Sequence, residues 1–432
     1  MQEERVDAIV VGAGPAGAAA AMTMARAGLE VVLLERGAFP GAKNVMGGIL
    51  YREPTEQLVP EFWREAPLER AIVEQRYLLL TSDSALGGTF RSQVFAEEPY
   101  NSFSVMRGEF DQWFAGKAEE AGAFLVPQML VVDLIWRDGK IVGVRTGEEE
   151  GDLFADVIVL ADGANSLLAQ KAGLHDEWRP SDQALVAKEL IHLSEERIND
   201  RFNVAAGHGV AMEIFGQSTR GLLGYGFIYT NRDTLSIGTG ALLSDLVESG
   251  ANVSDMLNEF KAHPAIAPML RDGETVEYSA HLIPEGGWSA LPRLFTDGAL
   301  VVGDAAALVN PINREGSNYA MVSGKLAAEA IVEAKATGDY SAMALSRYQE
   351  LLEESFILRD LYTIRNVTPF AHGRPHLLNE LPVVLSRAAR EYLTVDDLPK
   401  AVKQRRILRI LREGLPPRRT LGDLAGAFRA MR

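Results

Sequence analysis

The residues best placed to do chemistry are acids and glycines rather than nucleophiles. Glu35 follows Val31-Val32-Leu33-Leu34. Asp162 and Gly163 follow Val157-Ile158-Val159-Leu160-Ala161. Asp304 follows Leu300-Val301-Val302-Gly303. Each acid ends a short apolar, β-branched run, where a strand would deliver it to the rim of a sheet. Carboxylates at such rims accept hydrogen bonds from sugar-like hydroxyls, or they cap the next turn. Asp162 taken alone fits a helix cap or turn residue equally well. The most specific pattern lies ahead of all three. Asp7-Ala8-Ile9-Val10-Val11 runs into Gly12-Ala13-Gly14-Pro15-Ala16-Gly17, and a small-residue helix, Ala18 to Ala27, leaves it and closes at Gly28. In this pattern Gly12 permits the tight turn, Gly14 lets a pyrophosphate reach the backbone, and Gly17 lets helix and strand pack closely. The helix start offers unpaired N–H groups and the positive end of its dipole. Glu35 comes 23 positions after Gly12, near the roughly 20 at which a carboxylate meets the adenosine ribose. The motif identifies a dinucleotide site without separating FAD from NAD.

The elements that must position these residues read as alternating helix and strand patterns, hence an α/β fold with a mostly parallel sheet. At 432 residues and 47% hydrophobic, the chain can bury a large core in two or three subdomains. It has no cysteine, which excludes disulfides, a cysteine nucleophile and a cysteine-ligated iron–sulfur cluster within this chain. A net charge of −16 disfavours nucleic acid as a partner. The charge is uneven: Ala401 to Arg432 carries nine Lys or Arg against two Asp or Glu, a net of +7 that leaves −23 on the rest. Such asymmetry points to an acidic partner or an anionic surface. Residues 1–6 are mostly polar and charged, and no apolar run reaches the roughly 20 residues of a membrane span. Neither a secretory signal nor a transmembrane helix is expected, and a reducing cytoplasm is compatible with this chain.

Along the chain, residues 37–50 form a glycine-rich loop (Gly37, Gly41, Gly47, Gly48) carrying Lys43 and Asn44. It reads as an ordered loop close to a ligand, or as a connector. Residues 51–100 lack a clear period and are assigned to a second layer. Arg107 stands just before a helix with Phe110, Trp113, Phe114 and Ala118 on one face. Asp138-Gly139 turns a hairpin within Val131 to Val144. Residues 180–280 alternate in a β-rich pattern, with Tyr225, Phe227 and Tyr229 on one face, there to pack or to meet a planar ligand. His281 reads as a buried, hydrogen-bonded histidine, with proton donation as the sharper alternative. Pro311, Arg314, Glu315, Gly316, Ser317 and Asn318 lead into a small-residue helix from Tyr319 to about Ala336. The remainder is helical, broken at Pro416-Pro417. The expected domains are a nucleotide-binding part at 1–175 and 286–336, a β-rich substrate-side domain at 176–285, and a helical C-terminal region at 337–432.

Three strand-end motifs therefore gather at one rim, and the second acid favours FAD, because Asp304 can accept from ribityl hydroxyls. The turn from Pro311 to Asn318 opens a helix whose N–H groups can stabilise an anionic reduced flavin. No second Gly-x-Gly-x-x-Gly unit appears, since Gly238-Thr239-Gly240 lacks the third glycine. Direct NADH binding is not indicated.

At these residues the chain resembles the flavoprotein superfamily of p-hydroxybenzoate hydroxylase, geranylgeranyl reductases and electron-transfer-flavoprotein:quinone oxidoreductases. Within it, the chain is most similar to the FixC (EtfC) family. The similarity runs through Gly41-Ala42-Lys43-Asn44, Gly47-Gly48, Ser104-Val105-Met106-Arg107, Ile158 to Gly163, Val276 to Glu285 and Gly303-Asp304-Ala305-Ala306. It implies a Rossmann-like FAD-binding domain, a β-rich quinone-side domain and a helical C-terminal region. It also implies FAD-binding roles: Gly12, Ala13, Gly14, Pro15, Ala16 and Gly17 on the pyrophosphate, and Glu35 and Arg36 at the adenosine ribose. Arg107, Asp162, Gly163, Gly303 and Asp304 would serve the phosphates and ribityl chain. Pro311, Gly316, Ser317 and Asn318, with Lys43, Asn44, Gly47 and Gly48, would border the flavin. Members pass electrons from an electron-transfer flavoprotein pair (FixA/FixB, EtfA/EtfB) toward quinone in an electron-bifurcating complex. Related quinone oxidoreductases carry their own cysteine-bound cluster; this cysteine-free chain implies a separate ferredoxin-like subunit (FixX/EtfX). The basic, apolar-laced segment Val402 to Arg412 is expected to lie on the inner membrane face, to dock that subunit, or to pack on its own domain. The competing expectations are a geranylgeranyl-reductase-like FAD enzyme and a non-catalytic FAD-binding docking subunit. No catalytic residue is nominated, because the cofactor carries the chemistry.

Overall fold

A computed structural model describes residues 4–42, 48–148 and 151–431. The chain forms two compact units, each assembled from three stretches. The first comprises Met1–Arg70, Pro99–Gln183 and Leu282–Tyr362; the second comprises Ala71–Glu98, Ala184–His281 and Thr363–Arg432.

The first unit is built on a sheet ordered Phe295–Thr296, Ala299–Val301, Asp152–Leu160, Arg5–Val11, Val31–Leu34, Phe124–Val126. Along this order four pairings are parallel and that of Phe295–Thr296 is antiparallel; Lys140–Thr146 also joins Asp152–Leu160 antiparallel. Parallel strands covered on both faces are expected to be apolar throughout, and Ile158, Val159, Leu160, Ala299, Leu300 and Val301 are fully buried. The expected hairpin is present: Val131–Arg137 pairs with Lys140–Thr146 across Asp138 (φ 49°) and Gly139 (φ 81°). Two consecutive positive-φ residues match the right-handed twist of the flanking strands.

The helices Pro15–Arg26, Arg107–Glu120 and Ser317–Thr337 pack in this unit. Arg107 is the first residue of its helix rather than the residue before it, with Met106 as the cap. Phe110, Phe114 and Ala118 are fully buried, as their spacing predicts. The first and third helices approach closely because of one glycine. A Cβ on Gly324 would lie 2.0 Å from the Ala16 carbonyl oxygen.

The second unit holds a sheet in which Gln183–His192, Thr234–Leu242, Gly224–Thr230 and His208–Gly216 pair antiparallel in that spatial order. Leu68–Leu80 then joins in parallel and Ala85–Arg91 antiparallel. Ile214, Ile228, Ile237, Leu257 and Phe260 form its core. Tyr225, Phe227 and Tyr229 do share a face, and Phe227 stacks on Tyr229 with centroids 4.9 Å apart. Both are buried, so the aromatic row packs. His281 is exposed, which corrects the expectation of a buried histidine.

The end of the chain forms Leu381–Leu393, Lys400–Gly414 and Pro417–Ala430, separated at Pro416-Pro417. Arg405, Arg406, Leu408, Arg409 and Arg412 of the basic segment are all exposed. Leu421, Leu424 and Phe428 of the last helix are 56–68% exposed at helical spacing, beside exposed Arg418 and Arg429. Among the described residues no helix is long and apolar enough to cross a membrane.

Candidate FAD site

Strand register explains why distant residues meet. Val11 pairs with Leu34 and with Leu160, and Leu160 pairs with Val301. Four parallel strands thus end in one row, and the chain leaves that row as Gly12, Glu35, Ala161-Asp162 and Val302-Gly303-Asp304. This is the carboxyl-end crevice of an open α/β sheet, where ligands bind.

The three glycines of the first turn meet three different constraints. Gly12 has φ 104°, and a Cβ there would lie 2.3 Å from the Ala161 carbonyl oxygen. A Cβ on Gly17 would lie 1.9 Å from the Gly12 carbonyl oxygen, so only glycine lets the helix sit this low on the strand. Gly14 is the helix N-cap, with no side-chain cap, and space beside it is open to 4 Å. Open space at the dipole-positive end of a 12-residue helix, with Pro15 at its first position, fits an anionic pyrophosphate.

Glu35 is buried, and its carboxylate braces the turn. Oε2 accepts from the Ala13 N–H (3.1 Å) and Oε1 from the Gly37 N–H (2.6 Å). Arg36 beside it is exposed. Gly41, at φ 87°, brings the following loop against Arg107 and Asp111; its Cβ would lie 2.7 Å from the Arg107 carbonyl oxygen. Gly48 opens the strand Gly48–Tyr51, whereas Lys43, Asn44 and Gly47 lie outside the described residues.

At the second strand end, Asp162 Oδ2 accepts from the Leu168 N–H (3.0 Å). Its Oδ1 is buried with no hydrogen-bond partner among the described residues. Burial raises the Asp162 carboxyl above its ordinary range, against the pull of His175 and Arg36. Gly163 has φ 78° and open space on its Cβ side. An orphaned buried acceptor next to that space calls for a donor from a ligand. The carboxylate is therefore both cap and candidate ligand group.

Sequence reasoning missed Ser166, which ties this loop to the third. Ser166, buried and at φ 50°, donates its hydroxyl to the Ala305 carbonyl (2.8 Å), and His175 Nε2 lies 2.9 Å from Ser166 Oγ. Ser166 and Ala305 are 139 positions apart, too far for any local pattern to signal.

At the third strand end, Gly303 (φ 63°) starts a short 3₁₀ turn close to Ala16. Asp304 follows, and its carboxylate accepts no hydrogen bond among the described residues. Burial raises it, opposed by the charge of Arg107. Arg107 itself makes a two-pronged pair with Asp111, Nε to Oδ1 at 2.7 Å and Nη2 to Oδ2 at 2.8 Å, and its Nη1 is 3.5 Å from Ser317 Oγ. Burial disfavours the guanidinium charge, but Asp111 and Asp304 together outweigh it and hold the group above its ordinary pKa. The cation is thus fixed between the third strand end and the start of Ser317–Thr337.

That helix is entered through a closed loop. Asn310 and Glu315 exchange backbone hydrogen bonds at 3.2 and 3.0 Å, and Asn310 Oδ1 accepts from the Ile312 and Asn313 N–H groups. Pro311 lies within this loop, and Gly316 caps the helix with open space beside it. Asn318 is buried, with Oδ1 unpartnered among the described residues. Two helix starts, a fixed cation and orphaned acceptors at one rim suit a long, polyhydroxylated, anionic dinucleotide. Among the described residues no acid or histidine cluster suits a metal ion.

Comparison with known proteins agrees. Residues 7–185 match the FAD dependent oxidoreductase family and residues 367–432 match the ETF-QO/FixC family C-terminal domain. The chain is 45% identical over 412 residues to Protein FixC of Bradyrhizobium diazoefficiens, covering 95% of each. It is also 45% identical over 435 residues to Protein FixC of Azorhizobium caulinodans, covering 100% of this chain and 99% of that protein. A further relative, 38% identical over 94% of this chain and 95% of its own length, is the Escherichia coli protein named "Probable electron transfer flavoprotein-quinone oxidoreductase YdiS". In fold, the chain is similar to a geranylgeranyl bacteriochlorophyll reductase-like protein of Thermoplasma acidophilum. The TM-score is 0.75 at 21% identity, over 96% of this chain and 98% of that one. The crevice, the family matches and the near-full-length relatives converge: this chain belongs to the FixC family and is an FAD-dependent oxidoreductase.

Proposed function

We propose that this chain takes electrons from a two-subunit electron-transfer flavoprotein and delivers them, through FAD, to a quinone as the high-potential branch of a bifurcating complex. The observation that carries the reading is the single rim at which Gly12, Asp162 and Asp304 emerge, with no second Gly-x-Gly-x-x-Gly turn in the sequence for NADH. Bound FAD would supply reversible acceptance of electrons. The residues' part is to hold and bias it. The first-turn N–H groups after Gly14 bind the pyrophosphate, with Glu35 and Arg36 toward the adenosine ribose. Asp162, Gly163, Gly303 and Asp304 serve the ribityl chain and phosphates, with Arg107 as fixed cation. Gly316, Ser317 and Asn318 border the ring, where the dipole of Ser317–Thr337 favours negative charge.

The absence of cysteine supports an iron–sulfur cluster supplied by a separate ferredoxin-like subunit. The quinone is lipid-borne, and the last two helices suit an anionic bilayer. Leu421, Leu424 and Phe428 offer an apolar stripe flanked by arginines, the pattern of a helix lying in the interface.

The test is to purify the chain with its flavoprotein pair, bleach the flavin with NADH and follow recovery on adding a quinone analogue. Bleaching and recovery that both require the pair are expected; a flavin that neither reduces nor reoxidises on the turnover timescale sinks the proposal. The membrane arm is read separately. L421S/L424S/F428S should lose binding to anionic vesicles while unfolding as the parent does, and unchanged binding rejects it.

A further inference from the structure

The second and third strand ends are joined by a hydrogen-bond chain that finishes on a histidine. Ser166 donates its one hydroxyl hydrogen to the Ala305 carbonyl (2.8 Å). Its Oγ is left to accept, and His175 Nε2 lies 2.9 Å away. His175 Nδ1 faces the Asp176 carbonyl oxygen, which can only accept. Each ring nitrogen therefore meets an acceptor, and both contacts are hydrogen bonds only when both nitrogens carry a hydrogen. The ring also stacks on Trp178, with centroids 4.1 Å and planes 19° apart, and an indole face favours a cation. Burial raises the Asp162 carboxyl, and the charge of His175 works against that. Asp162 is the strand-end acid whose buried Oδ1 has no partner among the described residues.

We propose that these contacts hold His175 as an imidazolium, and that it acts as a positioning residue, locking the Asp162–Gly163 loop to the Gly303–Ala306 turn around the dinucleotide and releasing the lock when it loses a proton. The inference rests on FAD lying at this rim and is independent of which molecules exchange electrons with it.

A neutral ring cannot keep the chain intact. With its hydrogen on Nδ1, Nε2 and the Ala305 carbonyl compete for the single Ser166 hydrogen. With its hydrogen on Nε2, the lone pairs of Nδ1 and the Asp176 carbonyl face each other. Either form also leaves the Asp162 carboxylate less compensated. The sign follows: the grip is firm at low pH and slackens as pH rises. The other charged groups nearby have their own partners or face water. Lys171 is held by the Val132 carbonyl (2.6 Å) and Asp133 (3.4 Å), and Arg293 donates to the Gly173 carbonyl (2.5 Å). Arg36 acts on Asp162 and Arg107 on Asp304, while Asp176 and Glu177 are exposed.

The test follows flavin release from the FAD-loaded chain by fluorescence, from about pH 5 to about pH 8, the span over which histidines ordinarily change charge. Wild-type release should quicken about tenfold across it, the worth of one charge-assisted hydrogen bond. His175→Gln should release quickly at every pH. Asp162 and Glu285 titrate in both chains, so a difference in slope belongs to His175. Nitrogen-15 spectra of the histidine-labelled, FAD-loaded chain should also show, at about pH 6, a ring protonated on both nitrogens that is missing from His175→Gln. Wild-type release that does not change with pH overturns the proposal, whether or not the variant folds. So does a His175→Gln slope equal to that of wild type. Asp162→Ala tests the premise. If it holds FAD as tightly as wild type, the placement of FAD fails and takes the lock with it. If it weakens FAD while wild-type release stays flat with pH, the lock alone fails.

Discussion

Two helix starts face the same sheet rim, and they are built differently. At the first, before Pro15–Arg26, glycine sterics set the geometry, and the nearby carboxylate of Glu35 is tied to two backbone N–H groups. At the second, before Ser317–Thr337, space beside Gly316 is open, and the neighbours are polar: Arg107, Ser317, Asn318, Glu315 and Tyr319. The contrast teaches a division of labour. A fixed backbone cradle suits a group whose charge never changes, such as pyrophosphate. A surround of polar and titratable side chains suits a ring whose charge changes in each cycle.

The contrast breaks most visibly at Gly17. Gly17→Val must move the Gly12 carbonyl 1.9 Å from its Cβ, and shape is all the first turn has. The variant should lose bound FAD and about 3 kcal/mol of stability, measured by flavin absorbance and denaturant unfolding. At the second helix start the vulnerable feature is charge. Arg107→Ala leaves Asp111, whose side chain is fully buried, without its counter-charge. A loss of about 3 kcal/mol is expected, with FAD weakened while the first turn keeps its geometry. Retention of wild-type stability would place the pair outside the second start's support.

A third test sharpens the comparison by removing a confounder. Glu285 lies in the same unit, and burial raises its carboxyl from 4.5 to about 8. A carboxyl with a raised folded pKa stabilises fully below its unfolded value, and that contribution is lost as pH rises through the folded value. Between about 4.5 and 8 the parent should therefore lose stability that Glu285→Gln retains. The variant should melt higher than the parent near pH 8 and equally near pH 4. A melting difference that does not grow with pH contradicts this assignment, and pH effects at the second start are read cleanly only against this background.

Legibility followed the range of the interaction. The first turn, Glu35, both strand-end acids and the Asp138-Gly139 hairpin are local patterns, and each stands where its spacing predicts. Residues 51–100 showed no period for a physical reason. Ala85–Arg91 is exposed along its whole length, and in Leu68–Leu80 the five consecutive residues from Arg70 to Glu74 are buried without alternation. His281 was misjudged because a polar residue in an apolar segment carries no mark of which side faces water. Ser166 with Ala305 joins segments 139 positions apart in sequence, so only the folded chain brings them into view.

The three-stretch assembly of the first unit has a consequence for biosynthesis. Its strand Ala299–Val301 completes the row at Leu160, and Ser317–Thr337 packs on the helix after the first glycine turn. A nascent chain that already holds the glycine turn at Gly12–Gly17 lacks both partners until residues 299–337 have emerged. Such long-range closure is slow and leaves apolar strands waiting. Closure of the strand-end rim therefore waits on the synthesis of residues 299–337.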